Sequence, residues 1–76
     1  MNFNKVYLVI DGELHSSYEI LKVFRTLEAA KNYVENDLIP EYALINSNYK
    51  TYKELEWRNS WDFIKIIEKE VSYGTL

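Results

Sequence analysis

The chain has 76 residues and a formal charge of −3, set by 9 Lys and Arg against 12 Asp and Glu. Hydrophobic residues make up 47% and charged residues 28%, a globular balance that argues against disorder and leaves room for one domain. There is no cysteine, which excludes disulfides and thiolate metal sites. The longest apolar run, Val6 to Ile10, falls far short of the ~20 residues of a membrane span. It ends at Asp11-Gly12 without a small-residue cleavage site, so the expectation is a cytoplasmic domain with no membrane association.

Lys5 to Ile10 is rich in β-branched and aromatic residues and reads as a strand ended by a turn at Asp11-Gly12. Val6, Leu8 and Ile10 are assigned to the core side, and Tyr7 and Val9 to the other. Apolar groups on both sides fit a central strand or one covered by a partner. Leu14 to Ser17 is a connection. Tyr18 to Arg25 is a second strand, with Tyr18, Ile20 and Phe24 opposite Leu21 and Val23. Two such runs across a short polar loop make an antiparallel hairpin.

Thr26 is placed to cap a helix, and Glu28 in the first turn suits the positive end of its dipole. At helical spacing Leu27, Ala30, Tyr33, Val34 and Leu38 fall within about 140° of one another. Glu28, Lys31, Asn32 and Glu35 take the other side. Pro40 sets the limit of this amphipathic helix, which is predicted over 27–38.

Asn46-Ser47-Asn48 reads as a turn. From Tyr49 to Trp57, alternation sets Tyr49, Thr51, Leu55 and Trp57 against Lys50, Tyr52, Glu54 and Glu56, with Lys53 as the exception, and predicts one strand. Trp61 to Val71 fits either element. As a helix it gathers Trp61, Phe63, Ile64, Ile67 and Val71; as a strand it sets Phe63, Lys65, Ile67, Lys69 and Val71 against Ile64 and Ile66.

The strand Val6-Tyr7-Leu8-Val9-Ile10, the strand end Val23-Phe24-Arg25-Thr26 and the helix start Leu27-Glu28-Ala29-Ala30-Lys31 together resemble a group of small bacteriophage and bacterial proteins of ββαβ type. In that group the closing segment, here Phe63 to Val71, is similar to a strand returning to the sheet. The resemblance implies a strand there and a phage or mobile-element origin, and carries no catalytic residues. The expected fold is therefore α+β: an antiparallel sheet of about four strands with one amphipathic helix on one face, in a ββαββ-like order.

Candidate chemistry is sparse. His15, the only histidine, lies beside Ser16 and Ser17, but adjacency supplies neither an orienting carboxylate nor oxyanion donors. Asp11-Gly12-Glu13 lacks the spaced ligands of a calcium loop and reads as a turn. Glu54 and Glu56 on one strand side read as a solvated pair rather than an acid/base couple. The two glycines, Gly12 and Gly74, make no phosphate cradle. No enzyme and no cofactor is expected.

One stretch interleaves aromatic and basic groups: Tyr49, Lys50, Tyr52, Lys53, Trp57, Arg58 and Trp61. Such a pattern serves protein hot spots, stacked nucleotides or simple core filling. The expected function is a non-enzymatic interaction module, an inhibitor that occludes a host or defence protein through these residues. The alternative is an oligomeric sponge that holds a nucleotide signal on Lys50, Lys53 and Arg58. Net negative charge argues against double-stranded DNA. So short a chain buries only about 60% of its unfolded surface, and a homo-dimer or higher oligomer is expected through Tyr7, Val9, Leu21 and Val23 on the uncovered sheet face.

Overall fold

A computed structural model describes residues 2–73, with side chains from Lys5 to Ser72. It is an α+β domain built on a five-stranded antiparallel sheet. The strands are β1 (Asn2–Glu13), β2 (Tyr18–Phe24), β3 (Lys50–Lys53), β4 (Glu56–Arg58) and β5 (Asp62–Tyr73), ordered β2-β1-β5-β4-β3. β1 and β5 form the central seam and stay in register over 12 residues, from Asn2 opposite Tyr73 to Glu13 opposite Asp62. The closing segment is thus a strand, and a central one. Its Ile64 and Ile66 are buried, while Lys65, Ile67 and Lys69 lie on the other side.

One helix, α1 (residues 27–43), packs across one face of the sheet. Thr26 caps it as its composition demands: its hydroxyl accepts from the Ala29 N–H at 3.1 Å. The helix does not stop at Pro40. It is α-helical over Leu27–Asn32, π-helical over Tyr33–Leu38, and α-helical again over Ile39–Ala43. Proline lacks an N–H and its ring clashes with the carbonyl four residues back in an α-helix. Widening the preceding turn, with the Ile39 N–H donating to the Val34 carbonyl, lets the chain pass. The detour also sets direction. In an unbroken α-helix Tyr42 would sit about 80° round from Val34; the wider turn brings it back to the sheet, where its hydroxyl donates to Asp11.

Val9, Ile64, Ile66 and Trp57 meet Ala30, Val34 and Leu38 in the core between sheet and helix. Full burial of each Val, Leu or Ile is worth about 1.5–3 kcal/mol, so this one layer carries most of the stability. Tyr7, Leu21, Phe24 and Tyr33 close its margin, with the Phe24 and Tyr33 rings 5.4 Å apart.

Several sequence expectations change. The strand faces of β1 are inverted: Tyr7 and Val9 lie under the helix, whereas Val6, Leu8 and Ile10 look the other way. Both sets are apolar, so alternation could not choose between them. The first turn falls at 14–17, beyond Asp11-Gly12. In β2 a bulge at Leu21 shifts register between Val9 and Ile10, so Val23 joins Tyr18 and Ile20 on the helix-free face while Phe24 packs inward. The single strand expected over 49–57 is a hairpin, with Glu54 and Leu55 at its turn. Leu55 takes a left-handed backbone (φ 62°), held by its carbonyl accepting from the Ile66 N–H at 2.9 Å and by its side chain packing on the core.

Candidate interaction surface

Loops at one end of the sheet are held by backbone bonds after the helix and by the side-chain amide of Asn59. Asn46 ends the helix in a left-handed conformation (φ 63°), with its N–H donating to the Ala43 carbonyl and that of Ser47 to Tyr42. Asn59 then joins two loops. Its Oδ1 accepts from the backbone N–H groups of Trp61 (2.9 Å) and Asp62 (2.7 Å), and its Nδ2 donates to the Ser47 hydroxyl at 3.1 Å. Tyr49 stacks beside Tyr42, rings 5.5 Å apart, and burial raises its phenol above the ordinary range. Burial also raises Tyr42, and the bond to Asp11 adds to the effect. This scaffold leaves Leu44, Ile45 and Trp61 outside as exposed apolar groups.

The second surface is the sheet face that no helix covers. On β2 it presents Tyr18, Ile20 and Val23, with Ile20 55% and Val23 56% exposed. Val6, Leu8 and Ile67 continue it across the central strands, half-buried by their neighbours. Beside them, on β4, sits a buried carboxylate. Glu56 is 3% exposed, accepts from Arg58 Nε at 2.6 Å and has Lys53 Nζ at 3.8 Å. The Arg58 guanidinium also lies 3.7 Å from the centre of the Tyr52 ring. A shallow depression next to this group reaches the β1–β2 turn, where His15 takes a left-handed backbone (φ 65°).

The aromatic and basic residues of 49–61 are therefore not one patch. Trp57 is 7% exposed and belongs to the core, under the helix; it is not a surface anchor. Tyr49 is half-buried in the loop scaffold. Lys50, Tyr52, Lys53 and Arg58 gather on the β3–β4 edge of the helix-free face. Trp61, 78% exposed, stands apart at the loop end. Of the set expected at an oligomer interface, Val9 is fully buried and Tyr7 and Leu21 pack against the core, leaving Val23 exposed. Arg58, expected on a phosphate, is already committed to Glu56 and Tyr52. Sequence reasoning missed Ile20, Leu44 and Ile45; no local signal marks them, because an exposed aliphatic residue differs from a buried one only in tertiary context.

Among the described residues no group of three or more His, Asp or Glu is arranged to hold a metal ion, and no helix is long and apolar enough to cross a membrane. Fold and surface together define a two-layer α+β domain with one open sheet face. No family model, curated protein or solved structure matches the chain.

Proposed function

We propose that this domain is a non-enzymatic interaction module that works by occluding the surface of a partner protein with its open sheet face. The observation that carries this reading is the exposure of Ile20, Val23 and Tyr18 on a sheet face without a covering layer. Apolar groups gathered on one face of a small protein mark a place where another surface docks. Val6, Leu8 and Ile67, half-buried beside them, give a partner a continuous apolar floor. Tyr52 stacked on Arg58 supports a rigid rim, since both side chains are held before any partner arrives. The resemblance to small phage proteins directs the proposal towards a host or defence protein as the target.

The test is affinity capture from a bacterial lysate with three proteins: wild type, Ile20→Asp/Val23→Asp, and a helix-face control, Glu28→Arg/Glu35→Arg. A captured protein lost only with the sheet-face variant, both variants melting as wild type does, supports the reading. Equal capture by all three, or purified protein that turns over a substrate, overturns it.

A further inference from the structure

We infer that the partner docking on the open sheet face presents carboxylates alongside aliphatic groups, an inference that rests on the interaction reading and supplies its chemistry. The sheet sorts its acids by side more strictly than its cations: Lys5 and Lys22 share the helix side with most of the acids. Register places Lys50, Lys53, Arg58, Lys65 and Lys69 on the helix-free face, opposite or beside Glu56, Phe63 and Val6. Among the described residues Glu56 is the only strand carboxylate that register places on that face, and it is buried against Arg58; Glu13, at the end of β1, borders the depression beside them. The other strand acids, Asp11, Glu13, Glu19, Asp62, Glu68 and Glu70, share the register of Val9 and Ile64 on the helix side. The helix adds Glu28, Glu35, Asp37 and Glu41 there. A chain of charge −3 thus turns a cationic face to its surroundings.

That face is divided. Its β2–β1 half is aliphatic, with Ile20, Val23, Val6 and Leu8; its β3–β4 half is cationic. Ile10, flanked across the strands by Ile20 and Lys65, is already 3% exposed and makes a firm centre. A second copy is a poor occupant, because a two-fold pairing of this face sets its cationic half against either cations or aliphatic groups and supplies no exposed strand carboxylate to meet them. A nucleic acid would engage the cationic half and leave the aliphatic half wet. A protein segment carrying both acids and aliphatic side chains matches both halves at once, and complementary charge fixes its orientation.

The probe is a synthetic amphipathic peptide of alternating Glu and Leu, compared with its Lys/Leu analogue, oligothymidylate and phosphatidylserine vesicles. The expected result is binding of the Glu/Leu peptide at least about tenfold tighter than any other probe, weakening as NaCl rises from about 0.05 to 0.5 M. Lys50→Glu/Lys69→Glu abolishes that preference, whereas Arg25→Glu/Lys31→Glu, which changes net charge equally, preserves it. Tighter binding of oligothymidylate or vesicles, equal loss with both variants, or no binding of the Glu/Leu peptide overturns the inference. A lysate protein still lost with Ile20→Asp/Val23→Asp then leaves the interaction reading standing without its acidic partner. If that loss is also absent, both fall.

Discussion

Arg58 holds the buried Glu56 carboxylate through Nε at 2.6 Å while its guanidinium carbon lies 3.7 Å from the centre of the Tyr52 ring. Breaking this pair from one side should differ sharply from removing both partners. Arg58→Ala leaves a buried carboxylate with only Lys53 nearby and should lower stability by about 3 kcal/mol. Glu56→Gln keeps a polar group and should lower it by about 1 kcal/mol. The double variant should lose less than the sum of the two. Urea midpoints of the four proteins check this, and strict additivity would dismiss the coupling.

The two tryptophans make an internal comparison. Trp57 fills the core beside Ile64 and Val34, and Trp57→Ala should cost about 3–5 kcal/mol or prevent folding. Trp61 is exposed, and Trp61→Ala should shift stability by no more than about 0.5 kcal/mol. Iodide should quench wild-type fluorescence only in part, and that accessible part should vanish in Trp61→Phe.

Gly12 is fixed by a close approach rather than by backbone angle. A Cβ there would meet the Ser17 carbonyl oxygen and lie 2.7 Å from Tyr18 Cα, where β1 and β2 converge on their turn. Gly12→Ala must push the strands apart and should cost about 2 kcal/mol. A melting temperature equal to wild type would contradict it.

Alkaline stability should follow the tyrosines. Burial raises Tyr42, Tyr33 and Tyr49, with the Asp11 hydrogen bond adding to Tyr42. An unfolded tyrosine titrates near about pH 10, so the protonated phenols support the fold fully below that pH. Their contribution is lost as pH rises from there through the higher folded-state values. Urea midpoints should be flat for this term up to about pH 9 and decline above about pH 10. Tyr42→Phe should make that decline shallower; an unchanged slope would remove Tyr42 from the account.

The helix core face could be read in advance because it has one period and one apolar side. The last strand is apolar on both sides, fits a helical period as well, and is selected as a strand only by the resemblance. Leu27, Ala30, Val34 and Leu38 leave no second choice of face, but Ile64 and Ile66 oppose Phe63, Ile67 and Val71 as well as two lysines. β1 gave two apolar faces, and selection between them rests on where the helix lands. The Leu55 turn was hidden because its residue is neither Gly nor Asn, and its positive φ is sustained by tertiary contacts. Pro40 gave a true local signal, overridden by a π turn that keeps Tyr42 on the sheet. The candidate surface was less legible still. Interleaved Tyr, Trp, Lys and Arg mark a segment, but a hairpin at 50–58 sends Trp57 and Arg58 to opposite sides.

The seam between β1 and β5 governs when this domain can exist at all. Tyr7 and Glu68, partners across it, are 61 positions apart in the chain. Loop-closure entropy must be met before the middle of the sheet gains any ladder bond, which places folding among the slower, topology-limited cases. During synthesis the β1–β2 hairpin and the helix emerge first with their apolar sides open. They await the last strand, and in that interval a chaperone or a neighbouring nascent chain competes for the same unfinished edge.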